Sequence, residues 1–281
     1  MALSVAVYEM TAHGRSHTVC EAMAQGIKRC GDVPVRLKAE TYRRPECEIA
    51  VFYGYTQELQ ACMADHRKRL GAVYVDLGYW GRHDGGRRVG YHKIAVNARH
   101  PTDYFRKGHS PDRFVHHKQE IRPFRTFGRH ILIAGMSAKA AAAGGFKPEQ
   151  WERTTIIALQ RLTDRPLVYR PKPNWKDARP LPGAGYSPPK ETMEESLVNC
   201  HAIVTHHSNV AVDGLLAGIP VFANAGVASK MGTSDLSHID DPWLPDDRLE
   251  WAADIAYCQW SIAEMAEGLP WWHLKNTGMI P

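Results

Sequence analysis

The sequence predicts an α/β protein built on two mainly parallel sheets, one in each of two domains. Three observations carry that expectation. Continuous apolar, β-branched runs such as "ILIA" and "AIVT" suit strands buried on both faces of a sheet. Segments with apolar residues at helical spacing stand between them, so strand and helix alternate. The alternation weakens between residues 83 and 129 and then restarts, which predicts domains at 1–128 and 129–281 facing a cleft.

The first series opens with a strand in "LSVAVYEM", a polar loop "TAHGRSH" and a helix from Thr18 to about Arg29. Strands follow at "VPVRL", "EIAVFYGY" and "AVYVDLGYW", with a helix "QELQACMADHRKRL" between the last two. The weaker stretch holds one further strand, "KIAVNA". The second series runs through a strand "HILIAGM", a low-complexity loop "SAKAAAAGGF", a helix "PEQWERTTIIALQRL" and a strand "PLVYRP". Residues 201 to 223, "HAIVTHHSNVAVDGLLAGIPVFA", then read as strand, helix and strand, the helix stopping at Gly218. So close a succession is a βαβ unit, which places the knot "THHSN" at the carboxyl ends of parallel strands, where open α/β sheets bind ligands. The tail, with Trp251, Trp260, Trp271 and Trp272, predicts amphipathic helices that pack back across both domains, with the indoles as anchors.

A chain of 281 residues with 44% hydrophobic and 23% charged residues is that of a globular protein, not a disordered one. The opening "MALSVAVYEM" lacks a basic leader and a cleavage site, and no apolar run reaches membrane-spanning length, so a cytoplasmic location without a membrane partner is expected. Six cysteines without a CxxC pair predict free thiols and no zinc site. The adjacent histidines His116–His117 and His206–His207 would point apart on a strand and lack a third ligand, so no metal is expected. The net charge of +5 favours an acidic partner. Much of it lies between residues 87 and 130, where Arg, Lys and His mix with Tyr and Phe. Such a stretch either follows a phosphate backbone and stacks on bases or is an ordinary solvated surface.

Three strand ends of the second series offer groups that hold an anion. The loop after "ILIAGM" has small residues with Ser137 and Lys139; Arg170 and Lys172 stand at the end of "LVYRPKP"; His206, Ser208 and Asn209 form the knot. A diphosphate is their natural common ligand, although Ser208 can equally serve as a helix cap. Asp213 either accepts from a ribose diol or is a favourable charge near a helix start.

The series "LVYRPKP … ETMEESLVNCHAIVTHHSNVAVDGLLAGIPVFA" resembles the donor-binding domain of GT-B glycosyltransferases of the capsular-polysaccharide type. The resemblance covers roughly residues 165 to 225 and implies a GT-B-like fold of two Rossmann-like domains. It implies that Arg170, Lys172, Ser208 and Asn209 hold the phosphates of a nucleotide sugar, a UDP-sugar foremost, as a co-substrate in place of any tightly bound cofactor. Lys172 stands where the family has His, and Asp213 where it has Glu. The family takes its general base from the first domain and generally dispenses with an essential metal. Asp76, at the end of "VYVDLGYW", leads the candidates for that base, followed by His13 and Glu9; Asp76 can also cap a turn.

Charge and fold-level analogy with phage DNA glucosyltransferases give an acceptor expectation: a hydroxymethylated pyrimidine in DNA, flipped from the duplex and held by the basic stretch 87–130. The alternatives are a transferase for a surface polysaccharide or small acceptor, a sugar-nucleotide epimerase, and a non-catalytic nucleic-acid-binding protein. A monomer and a homodimer both fit the sequence.

Overall fold

A computed structural model of the chain describes residues 2–86, 89–104, 108–173, 175–188 and 190–281. It divides into two compact units, Met1–His117 with Ala253–Pro281, and Lys118–Ala252. The first boundary thus falls eleven residues before the expected 128, and the tail returns to the first unit instead of staying with the second.

The first unit runs β1 (Ser4–Glu9), α1 (Gly14–Arg29), β2 (Val33–Lys38), β3 (Ile49–Tyr53), α2 (Gln57–His66), β4 (Gly71–Leu77), β5 (His92–Val96) and α3 (Asp112–His116). The second runs β6 (His130–Ala134), α4 (Ala138–Ala143), α5 (Gln150–Leu159), β7 (Leu167–Arg170) and β8 (Gly185–Tyr186). It continues with α6 (Met193–Leu197), β9 (Cys200–Thr205), α7 (Val210–Leu216), β10 (Val221–Ala223) and α8 (Arg248–Tyr257), within which the chain leaves it. The tail adds β11 (Gln259–Trp260), α9 (Ile262–Glu267) and α10 (Leu269–Asn276) to the first unit.

The first sheet has the order β11-β5-β4-β3-β1-β2, and the second β10-β9-β6-β7-β8. All pairs of the second sheet are parallel. In the first, β2, β1, β3 and β4 are parallel while β5 and β11 are antiparallel additions. The central parallel strands are buried on both faces, as the unbroken apolar runs require: every residue of β3 is buried, whereas the edge strand β2 is mostly open. Aromatic and aliphatic side chains fill a core on one face of each sheet, around Tyr8, Phe52 and Leu59 in the first unit and Ile133, Tyr169 and Phe222 in the second.

Three local expectations change. The helix expected from Thr18 begins at Gly14, because His13 Nδ1 accepts the Ser16 N–H at 3.2 Å and winds the polar loop into a capped first turn. The loop "SAKAAAAGGF" contains α4, since five alanines favour a helix and Ser137 caps it through Ala140 N at 3.3 Å. β8 and β11 are two residues each, too short to leave a periodic signal.

The tail indoles are anchors, with one exception. Trp271 is fully buried and donates to Asp32 Oδ2 at 2.8 Å, Trp251 donates to Val227 O at 3.1 Å, and Trp260 is 5% exposed, whereas Trp272 is 62% exposed. Gly26 lets α1 meet the backbone of α9: a Cβ there would lie 2.0 Å from Met265 O. All six cysteines are free. Among the described residues, no helix is long and apolar enough to cross a membrane.

Candidate active site

In the second unit the carboxyl ends of the strands are stitched into one polar edge. Gly135 N donates to Arg170 O at 2.9 Å, Thr205 Oγ1 to Ala134 O at 3.0 Å, and Asn224 N to Thr205 O at 3.3 Å. The fold therefore gathers the loops that carry Ser137 and Lys139, Arg170 and Lys172, and His206, Ser208 and Asn209. Lys139 and Lys172 are exposed there, and Ser137, His206, Ser208, Asn209 and Asp213 are half-buried. Among the described residues, Ser208 Oγ accepts a long bond from Val210 N, 3.4 Å, and Asn209 makes no capping bond through its side chain. Asp213 lies in the first turn of α7.

Arg170 has a bracing role in addition to any ligand contact expected of it. It is 6% exposed, and its guanidinium donates to Ser187 Oγ at 2.8 Å, Ser196 Oγ at 2.7 Å and Glu191 O at 2.6 Å. A buried guanidinium must find acceptors, and these three tie β7 to the segment leading into α6. Arg170→Met is expected to destabilise the protein by about 1.5–3 kcal/mol, the worth of charge-assisted bonds, read as a lower urea midpoint. An unchanged midpoint would refute the brace.

The histidine pair also differs from its expectation. His206 and His207 lie in a turn beyond β9, not on a strand, and their Nδ1 atoms meet at 2.8 Å. The alternation that would point them apart holds only within a strand. The His206 ring packs edge-on against Phe146 and Trp151, with centroids 5.4 and 5.9 Å away.

In the first unit, the three candidate bases separate by their partners. Glu9 bonds His17 Nδ1 at 2.7 Å and the Arg36 guanidinium. Burial pushes its pKa up, but these bonds outweigh burial and hold the carboxyl below the usual range, which suits an ion pair better than a base. His13 Nδ1 is occupied by Ser16 N–H, so the neutral ring carries its proton on Nε2 and is placed to donate. Asp76 is half-buried at the end of β4; its Oδ2 accepts from Tyr74 OH at 2.9 Å and its Oδ1 from Leu77 N at 2.8 Å. Each oxygen keeps a lone pair for a further proton donor.

Around Asp76 stand residues the sequence reading missed. Lys93 is opposite it in the antiparallel register of β5, is 4% exposed, and holds Nζ 5.5 Å from the Tyr79 ring centroid. Arg99 lies 4.8 Å over the Tyr55 ring, and Arg15 Nη1 donates to Tyr53 OH at 3.4 Å. Burial and the nearby Asp76 charge push the Tyr74 phenol well above its ordinary pKa, so it stays a donor to Asp76. The only sequence signal was a Lys inside the apolar run "HKIAV".

Burial also holds histidines of this unit neutral. Burial, with help from nearby cationic groups, lowers His92, His117 and His273 to about 4. Unfolded, each would titrate near 6.5, so the unfolded chain binds more protons between the two values. Their contribution to stability is complete above about pH 6.5 and is lost as pH falls toward about 4. The urea midpoint should drop over that window, and His92→Gln should flatten the drop; an identical slope in the variant would contradict the assignment.

The basic stretch 87–130 is divided, with residues to 117 in the first unit and from 118 in the second. Arg87, Arg88, Arg106 and Lys107 lie outside the described residues. Several others serve the fold. Arg113 pairs with Glu264 at 2.7 Å and lies 3.9 Å over Trp260, His109 bonds the buried Asp254 at 2.7 Å, and Arg125 donates to Leu197 O at 2.6 Å. This stretch is thus partly internal bracing, not one free cationic track.

No protein-family model and no curated protein matches the chain. Among solved structures it is similar to the Thermosulfurimonas dismutans KpsC beta Kdo 2,4 transferase, with 13% identity, a TM-score of 0.56, and coverage of 91% of this chain and 90% of that one. It is also similar to the KpsC beta Kdo 2,7 transferase of the same organism, with 12% identity, a TM-score of 0.54, and coverage of 96% and 99%. A Methanocaldococcus jannaschii UDP-GlcNAc 2-epimerase in complex with UDP-GlcNAc and UDP aligns with 8% identity over 98% of this chain and 100% of that one, at a TM-score of 0.32 that carries no argument. At these identities the likeness is one of fold, and the chain has a GT-B-like α/β fold with two parallel-rich sheets.

Proposed function

We propose that this protein is a glycosyltransferase that moves a sugar from a nucleotide-sugar donor to a hydroxyl of a saccharide acceptor. The observation that carries the reading is the likeness in fold, over 91% and 96% of the chain, to two Kdo transferases. The polar strand ends of the second unit support it. In this reading the second unit takes the donor: Lys139, Lys172, Ser137, Ser208 and Asn209 face its phosphates, Arg170 and His206 support their loops, and Asp213 meets the ribose. The first unit takes the acceptor, with Asp76 as general base. The acceptor oxygen gives its proton to the Asp76 carboxylate and bonds to the anomeric carbon. The bond from that carbon to the nucleotide phosphate breaks, and the electron pair leaves on the phosphate oxygen, where cations stabilise it.

The test offers labelled UDP-, GDP- and CMP-sugars with oligosaccharide acceptors and, in parallel, hydroxymethylated duplex DNA. Label in the oligosaccharide is the expected result. Label in DNA alone would move the acceptor to nucleic acid, free nucleotide and altered sugar without acceptor would reveal an epimerase, and no turnover of any donor would refute a transferase.

A further inference from the structure

The first turn of α5 touches three of the loops at the polar edge of the second sheet. Glu152 is fully buried, and its Oε1 accepts the N–H of Met136, in the β6–α4 loop, at 2.6 Å. Next to it, Trp151 donates from Nε1 to Asn224 Oδ1, just past β10, at 3.1 Å, and packs against the His206 ring beyond β9. Glu152 and Trp151 point to different loops from one rigid turn, so their positions are coupled.

The carboxyl is an expensive way to make one backbone contact. Among the described residues, Glu152 Oε2 and the hydroxyl of fully buried Tyr169 have no hydrogen-bond partner, and burial raises the pKa of the Glu152 carboxyl. Gly135 separates the two side chains: a Cβ there would lie 2.7 Å from Tyr169 Cε2 and 3.2 Å from Glu152 Oε1. The small residue is thus required for the β6–α4 loop to settle onto the carboxyl. A core that needed only apolar filling would place a Leu or Met at position 152 at no such cost. The loop it holds carries Ser137 and Lys139.

We propose that Glu152 and Trp151 are positioning residues that hold the β6–α4, β9–α7 and β10 loops in the one arrangement that accepts the nucleotide-sugar donor. This rests on the transferase reading above. Neither residue touches the donor; each removes loop freedom that binding would otherwise have to remove, so their effect falls on donor affinity and not on the chemical step. Gln at 152 keeps an oxygen for the Met136 N–H and differs only at the unpartnered position.

The test compares Glu152→Leu, Glu152→Gln and Asn224→Ala with the wild type. Donor Kd is measured by calorimetry with UDP, CMP and their sugars, and exchange of the Met136 amide by hydrogen–deuterium exchange. Asn224 is exposed, so its variant keeps the fold even if Glu152→Leu does not. Loss of one loop-fixing hydrogen bond should raise donor Kd about tenfold with kcat at saturating donor nearly unchanged, and Glu152→Gln should restore it. Met136 exchange should quicken in Glu152→Leu alone. Wild-type binding with an unchanged Kd in folded Glu152→Leu and in Asn224→Ala would overturn this inference and leave the transferase reading intact. A wild type that binds no nucleotide or nucleotide sugar would overturn the transferase reading, and the donor role of the turn with it.

Discussion

Asp76→Asn is expected to lower the rate of sugar transfer by about 10²–10⁴-fold, the usual contribution of a positioned general base. The amide keeps the shape and one acceptor oxygen, which can still take the Leu77 N–H, while its NH2 can donate to the Tyr74 hydroxyl oxygen in place of the second bond that orients the carboxylate. It cannot accept the proton of an acceptor hydroxyl while doing so. Donor Kd should stay unchanged, because the groups proposed to hold the donor are in the second unit. His13→Gln should cost far less, since the only base position of that ring is already used to cap α1. The check is single-turnover transfer at saturating donor, beside calorimetric donor binding. Full activity in Asp76→Asn would remove Asp76 from the reaction and return Glu9 and His13 to consideration.

Trp271→Ala should destabilise the protein by about 3–5 kcal/mol, the range for deleting a large buried aromatic. Trp271 is wholly buried, and its Nε1 shares Asp32 with Leu3 N at 2.9 Å and Lys275 Nζ at 2.8 Å. These bonds hold the Asp32 carboxyl below its usual pKa although burial, the largest influence, acts the other way. Truncation therefore leaves a cavity and a buried carboxylate short of one donor. Trp272→Ala, one residue on and 62% exposed, should change stability by less than about 0.5 kcal/mol. Urea denaturation of both variants makes the comparison. Equal midpoints would mean that the tail does not anchor the first unit.

The tryptophans show how much the sequence could say. Their number and spacing indicated anchored tail helices, but Trp271 and Trp272 are adjacent, and only the packing of α10 decides which is the anchor. The same division holds at the site. That Ser137, Lys172, Ser208 and Asp76 stand at or just past strand ends was legible because strand ends and turn residues leave local signals, and a parallel sheet brings its strand ends to one edge. Lys93 was not, since it faces Asp76 only through the register of an antiparallel pair. Glu152 and Trp151 were hidden in an ordinary amphipathic helix, and the bracing work of Arg170 depends on acceptors 17 to 26 residues away. The sequence by itself determined the alternation of strands and helices, the doubling of the α/β series and the polar strand ends, because these follow from periodicity and turn chemistry within a few residues. The tertiary structure alone decided which unit owns the tail and which polar side chains are occupied in bracing, because burial and hydrogen-bond partners come from residues far apart in the chain.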